Sequence, residues 1–299
     1  MTTLSTSIFP SVSFDLSYAN YLTYLQFTDK HTCETESLST LLPTWLGKRN
    51  KLATLDVGAG NGRLAQTIYD LYGKSSEQFT MMLLEPALAA SEKLEARFAH
   101  DERISIVSQS LQDFTANGQE GRYDLVLASH VCYYFEDRIA LFKSLCRLVA
   151  PGGVLCCIAG SISLVEHPIY QELLPQILAD SSIERSFGLD GYGSCAEELQ
   201  LISFCNDHLL SSISVPASMS FSSEQILQAA QALGSLATTM DNDLCKCLGF
   251  LWRIPIEAVY RKRQLILDFF ERHGAFIEDI HIPCQDKFLL LRMPNLGNA

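Results

Sequence analysis

Residues 52–64, LATLDVGAGNGRL, constrain this chain more than any other stretch. Leu52, Thr54, Leu55 and Val57 read as a buried strand, and a glycine-rich turn, Gly58-Ala59-Gly60-Asn61-Gly62, follows at once. A helix is expected over 63–72. Glycines at alternate positions carry no Cβ, so the turn can be tight and a ligand can lie against bare backbone. The helix start adds unpaired N–H groups and the positive end of a dipole. No Lys-Ser/Thr pair follows the last glycine, which excludes a Walker loop. The pattern is G-x-G-x-G rather than G-x-G-x-x-G, with an acid, Asp56, just before it.

The segments that follow alternate between strand and helix. Strands are expected over 79–84, 104–108, 123–129 and 154–159, with helices over 87–99 and 137–149. Ahead of the glycine turn, 15–27 and 32–42 carry helical spacing. After residue 160 the expected elements are a helix over 164–179 broken at Pro175, a loop over 185–193, and a helix from the Ser194/Glu197 capping box to about 208. A strand over 209–219 comes next. A helix opened by Ser222 and Gln225 runs to about 240, then further helix over 243–251 and 256–273. Strands over 275–282 and 287–293 close the chain.

The acid-x-Gly-x-Gly-x-Gly turn after a first strand resembles the cofactor loop of class I S-adenosylmethionine (SAM) methyltransferases. So do the acid ending the second strand, Glu85-Pro86, and the Ala150-Pro151-Gly152-Gly153 turn before an apolar strand. The resemblance implies an α/β, Rossmann-like fold with a mostly parallel seven-stranded sheet and helices on both faces. It implies SAM as cofactor. A carboxylate at Glu85 can accept both vicinal ribose hydroxyls. Asp56, Gly58, Gly60, Gly62 and Pro86 would complete the ribose and loop contacts. Leu111, Gln112 and Asp113 would flank the adenine. Ser129 and His130, after the fourth strand, would lie near the sulfonium.

Composition narrows the partners. A formal net charge of −12 disfavours nucleic acid and anionic membranes. Ten cysteines show no paired CxxC units, so neither a structural zinc site nor any other metal is expected. They read as reduced thiols of a cytoplasmic protein, monomeric or homodimeric. The N-terminus lacks the pattern of a signal peptide, and no run is long enough to span a bilayer. One domain over 1–299 is expected: an N-terminal helical cap (1–50), a SAM-binding core (51–165), and substrate-side helices with closing strands (166–299).

Within the superfamily the chain looks like the histamine N-methyltransferase group. The likeness rests on Tyr24-Leu25, His31, Cys33 and Glu36 followed by Leu42-Pro43, on Leu84-Glu85-Pro86, on Tyr133-Tyr134-x-x-Asp137, and on Ala159-Gly160-Ser161. It implies a small-molecule acceptor methylated on nitrogen. It also implies substrate contacts from Tyr21, Lys30, His31, Tyr134 and the neighbourhood of Cys284. Lys30 stands where that group has an acid that meets a cationic amine, and His130 where it has a Gln. A lysine there repels an ammonium and attracts a carboxylate or phenolate, so histamine itself is not the expected acceptor. His130 is the expected base. Tyr133 and Tyr134 would line the acceptor or face the sulfonium. Transfer to a hydroxyl or carboxylate oxygen, and a non-catalytic methyltransferase fold, are the alternatives.

Overall fold

The computed structural model describes residues 14–116, 118–135, 137–160, 166–183 and 210–294. Seven strands form one sheet: β1 (Lys51–Val57), β2 (Gln78–Leu84), β3 (Ile104–Val107), β4 (Tyr123–Ser129), β5 (Val149–Gly160), β6 (Leu210–Phe221) and β7 (Ile280–Arg292). Their order is β3-β2-β1-β4-β5-β7-β6. The first five are parallel, and β7 runs antiparallel to both β5 and β6.

The central strands are apolar on both faces because both faces are covered. On β4, Leu125 and Leu127 enter one core and Val126 and Ala128 the other, as a two-residue period requires. β5 does the same with Cys156 and Cys157, so these neighbouring thiols point to opposite faces. All eight cysteines among the described residues are free. Helices Lys30–Leu46, Arg63–Ile68 and Leu88–Phe98 cover the first face, and Leu111–Thr115 and Arg138–Leu148 the second.

A third core lies outside the sheet layers. It joins four of the five helices between β6 and β7 to Tyr24 and Phe27 and includes Trp252, Phe269 and Phe270. Each such buried side chain stabilises by about 1.5–3 kcal/mol. Helix Phe14–Tyr24 packs on helix Asp243–Trp252 through Tyr24 and Phe250, whose rings are 5.4 Å apart. The capping box at Ser222 and Gln225 opens its helix as expected.

Several expected boundaries move. The fifth strand starts at Val149 rather than 154. The helix expected over 256–273 breaks at Lys262 into Ile256–Arg261 and Arg263–Arg272. The two closing strands are one, Ile280–Arg292. At Pro283 β7 pairs only with β6, and β5 joins from Asp286 onward. A proline is tolerated where one side of a strand is unpaired. The helix expected over 194–208 lies outside the described residues. Among the described residues no helix is long and apolar enough to cross a membrane.

Candidate active site

The strand order reverses between β1 and β4, and ligands of doubly wound sheets bind outside the carboxyl ends of such strands. The pocket lies there. It is lined by Asp56 near the end of β1 with Gly58 and Gly60 after it, Glu85 after β2, Leu111 after β3, and Ser129 at the end of β4 with His130 after it.

The three glycines of the turn all have positive φ, +70, +56 and +76° for Gly58, Gly60 and Gly62, but they serve different ends. A Cβ on Gly58 would lie 2.4 Å from Val131 Cγ1, and one on Gly62 would lie 2.6 Å from Leu94 Cδ2. A Cβ on Gly60 would meet nothing within 4 Å. Gly60 alone therefore offers bare backbone to open space. Gly62 does not line the pocket, and its expected cofactor contact gives way to close packing of helix Arg63–Ile68 on helix Leu88–Phe98.

Glu85 is buried, with Oε2 accepting the Gly60 N–H at 2.7 Å and Oε1 the Ala87 N–H at 2.8 Å. Burial raises its pKa against the pull of these two N–H groups. Two backbone donors leave further lone pairs on a fixed carboxylate, which is what a vicinal diol needs. Pro86 and Leu111 line the same end, whereas Gln112 does not. The open face at Gly60, the fixed Glu85 carboxylate and the apolar Leu111 wall together fit an adenosyl group.

Asp56 is buried beside this end, and burial with the charge of Glu85 raises its carboxyl from 3.8 to about 7. Between those values the folded chain holds a proton that the unfolded chain releases. Stability is therefore lost as pH rises through that window. Asp56→Asn is expected to be more stable than wild type at pH 8 by on the order of 4 kcal/mol, with the difference vanishing near pH 4. Thermal melts across this range check it.

At the other end, a buried network joins three distant segments. Lys30 Nζ donates to Asp286 Oδ1 at 2.6 Å, and His130 Nε2 lies 2.6 Å from Glu34 Oε1 and 3.9 Å from Asp286 Oδ2. His130 Nδ1 is 3.1 Å from the Tyr133 hydroxyl, which also accepts the Gly160 N–H. Burial alone would lower the His130 pKa, but the Glu34 and Asp286 charges prevail and raise it. Burial raises that of Glu34 against the pull of His130. For Asp286, His130 and Lys30 outweigh burial and lower it. The donor atoms of Glu34, His130 and Asp286 lie within 4.8 Å of one another, close enough for a divalent cation. Lys30 already supplies positive charge against Asp286 there.

Lys30 lines the pocket, as expected of a substrate contact, but its ammonium is held on Asp286. It is 4% exposed, and turning its ammonium to a substrate would strand Asp286, a loss of about 3–5 kcal/mol in buried pairs. The C-terminal polar contact also shifts: Cys284 is buried in the third core and does not line the pocket, and Asp286, two residues on, reaches the network. Tyr21, His31, Tyr133 and Tyr134 do line it. The Tyr21 hydroxyl and His31 Nε2 are 2.7 Å apart, and burial and Arg63 lower His31 to about 4, so its imidazole is neutral.

Glu34, Asp286 and Arg253 were not singled out from sequence. Two had signals. Glu34 stands in the stripe Lys30, Glu34, Leu38, Leu42, Leu46 at four-residue spacing, all buried. Asp286 stands among inward residues Ile282, Cys284 and Phe288 at two-residue spacing. Arg253, in left-handed backbone after a helix, had none.

The family comparisons agree with this geometry. A family model for a methyltransferase domain matches residues 30–204, and the chain belongs to that family. SAM is its cofactor. The BH2331 protein of Bacillus halodurans C-125, described as a methyltransferase, superposes with a TM-score of 0.53 at 11% identity, over 87% of this chain and all of its own. The YcgJ protein of Bacillus subtilis gives 0.51 at 13%, over 88% of this chain and all of its own. These likenesses establish the fold: α/β, class I and Rossmann-like. A 108-residue stretch is 31% identical to the hybrid PKS-NRPS synthetase mpsA of Macrophomina phaseolina, covering 35% of this chain and 3% of that protein. The chain thus spans only a small part of the length of this curated relative.

Proposed function

We propose that the chain transfers the methyl group of SAM to a nitrogen of a small molecule other than histamine. The observation that carries the reading is the Glu34–His130–Tyr133 chain of contacts beside the glycine turn. SAM, when bound, supplies an electrophilic methyl on a sulfonium. Asp56, Gly58, Gly60, Glu85, Pro86, Leu111 and Ser129 would hold it.

The protein's own residues handle the proton. Glu34 accepts Nε2–H and fixes the neutral His130 tautomer with Nδ1 free to take a proton. Tyr133 passes its proton to Nδ1 as it takes one from the acceptor. Helix Phe14–Tyr24 lays Phe14, Tyr18, Tyr21 and Tyr24 along the pocket, which keeps water out and favours a small acceptor. The nitrogen assignment rests on the likeness to the histamine N-methyltransferase group. Replacement of its amine-binding acid by a sequestered Lys30 removes histamine. The free cysteines support a cytoplasmic protein. In the basic run Arg261-Lys262-Arg263, Lys262 pairs with Asp180 at 2.8 Å, and Arg261 donates to Ser182 at 3.3 Å.

Methyl-labelled SAM with a panel of small primary and secondary amines, phenols and carboxylic acids tests the proposal. Label is expected on amine nitrogen with release of S-adenosylhomocysteine. Label found only on oxygen would sink the nitrogen assignment, and SAM binding without transfer to any small molecule would sink the acceptor class.

A further inference from the structure

Asp286 is wholly buried, and its two oxygens are treated differently. Oδ1 accepts from Lys30 Nζ at 2.6 Å. Oδ2 is shut off from solvent and meets no hydrogen-bond donor among the described residues. His130 Nε2 lies 3.9 Å from it, and Glu34 completes a cluster whose donor atoms are all within 4.8 Å of one another. With the imidazole neutral, two carboxylates face the single charge of Lys30. A buried carboxylate oxygen in that position is relieved by a counter-charge or a metal ion. Solvent does not reach Oδ2, so the relieving particle is smaller than water: a proton or a bare cation.

Three features favour a cation. The donors are one imidazole nitrogen and two carboxylate oxygens, and a metal about 2.0–2.2 Å from each sets them about 3–4 Å apart. Nε2 and Oδ2 already stand so. Nε2 and Glu34 Oε1, at 2.6 Å, are drawn together by a hydrogen bond that disappears when Nε2 takes the metal. The donors are also held from behind. Lys30 anchors Asp286, the Tyr133 hydroxyl lies 3.1 Å from His130 Nδ1, and the left-handed backbone of His130, at φ +55°, is imposed on it. Finally, Glu34 and His130 line the pocket, which gives an ion its way in and a side for a fourth ligand.

We propose that Glu34, His130 and Asp286 bind a zinc ion, and that the bound ion shuts off methyl transfer. Imidazole with carboxylates suits Zn2+, whereas Mg2+ prefers oxygen donors in a near-octahedral shell. Once the metal is on Nε2, the one hydrogen of the neutral ring sits on Nδ1, which then has no lone pair for the Tyr133 proton. The site stands on the cluster alone, and the shut-off rests on the His130 path of the methyl-transfer reading. Cysteine spacing gives no sign of such a site, because its ligands come from positions 34, 130 and 286.

Titration calorimetry of the full chain with zinc chloride and with magnesium chloride tests the site without any acceptor. Wild type is expected to take up one Zn2+ at the cluster and to bind Mg2+ about 10-fold more weakly or worse. Asp286→Asn and His130→Asn should each lower that Zn2+ affinity by about 10–100-fold or more. Asparagine tolerates the left-handed backbone at position 130. Free thiols also take zinc, so uptake that is unchanged in both variants overturns the proposal. Absence of Zn2+ uptake by wild type overturns it too and leaves a proton between the two carboxylates. Should Asp286→Asn fail to fold for want of a partner for Lys30, His130→Asn and Glu34→Gln decide on the same terms. In the labelled-SAM assay Zn2+ should stop transfer and a chelator should restore it. Zn2+ bound at the cluster with transfer undiminished upholds the site and overturns the proton path. Transfer to an amine with no Zn2+ uptake overturns the site and leaves the methyl-transfer reading standing.

Discussion

His130→Ala is expected to lower kcat by about 10²–10⁴-fold, the usual worth of a positioned general base, with SAM affinity changed little. The imidazole takes its proton at Nδ1 only when neutral, and Glu34 and Asp286 raise its pKa above 6.5. The wild-type rate should therefore climb with pH and level off above the ordinary histidine range. Glu34→Gln removes the main charge that opposes burial, so the midpoint should move to lower pH while the plateau falls. A pH–rate profile reads both. A purely structural Glu34 would lower the rate at every pH and leave the midpoint in place. An unchanged kcat in His130→Ala would eliminate the proton path altogether.

Glu85→Ala should weaken SAM binding by about 1.5–3 kcal/mol, or about 10–150-fold. Two effects combine in that loss. The ribose loses a charged acceptor, and the Gly60 and Ala87 N–H groups lose the oxygens that hold them at 2.7 and 2.8 Å. Glu85→Gln keeps one acceptor oxygen and should fall between the two. Titration calorimetry on the three proteins measures the series. If Glu85→Ala binds SAM as wild type does, the carboxylate serves the loop alone.

The cofactor half was legible because its information is local. A buried strand, a turn that needs left-handed backbone, and an acid one strand–helix–strand unit later all lie within about 30 residues, where periodicity and glycine chemistry speak directly. Even so, the three glycines looked alike in sequence. Only packing distinguishes Gly62, which seats against Leu94 and Phe98, from Gly60, which opens to the pocket.

The acceptor half was legible in part. His130, Tyr133 and Tyr134 follow a central strand, where such folds bind ligands, and they could be named. Their partners could not, because Lys30 and Asp286 are 256 residues apart and Glu34 and His130 are 96 apart. Lys30 illustrates the difficulty. As a residue type it suggests anion attraction, but a buried Asp286 at 2.6 Å cancels that charge. By itself the sequence determined the core strands and the glycine turn, through short-range periods and backbone sterics, while the sheet and the cofactor followed from the resemblance those motifs carry. Which charges are neutralised and which face the pocket was decided only by tertiary structure. Burial and Coulomb pairing depend on which distant segments meet, and no local pattern encodes that.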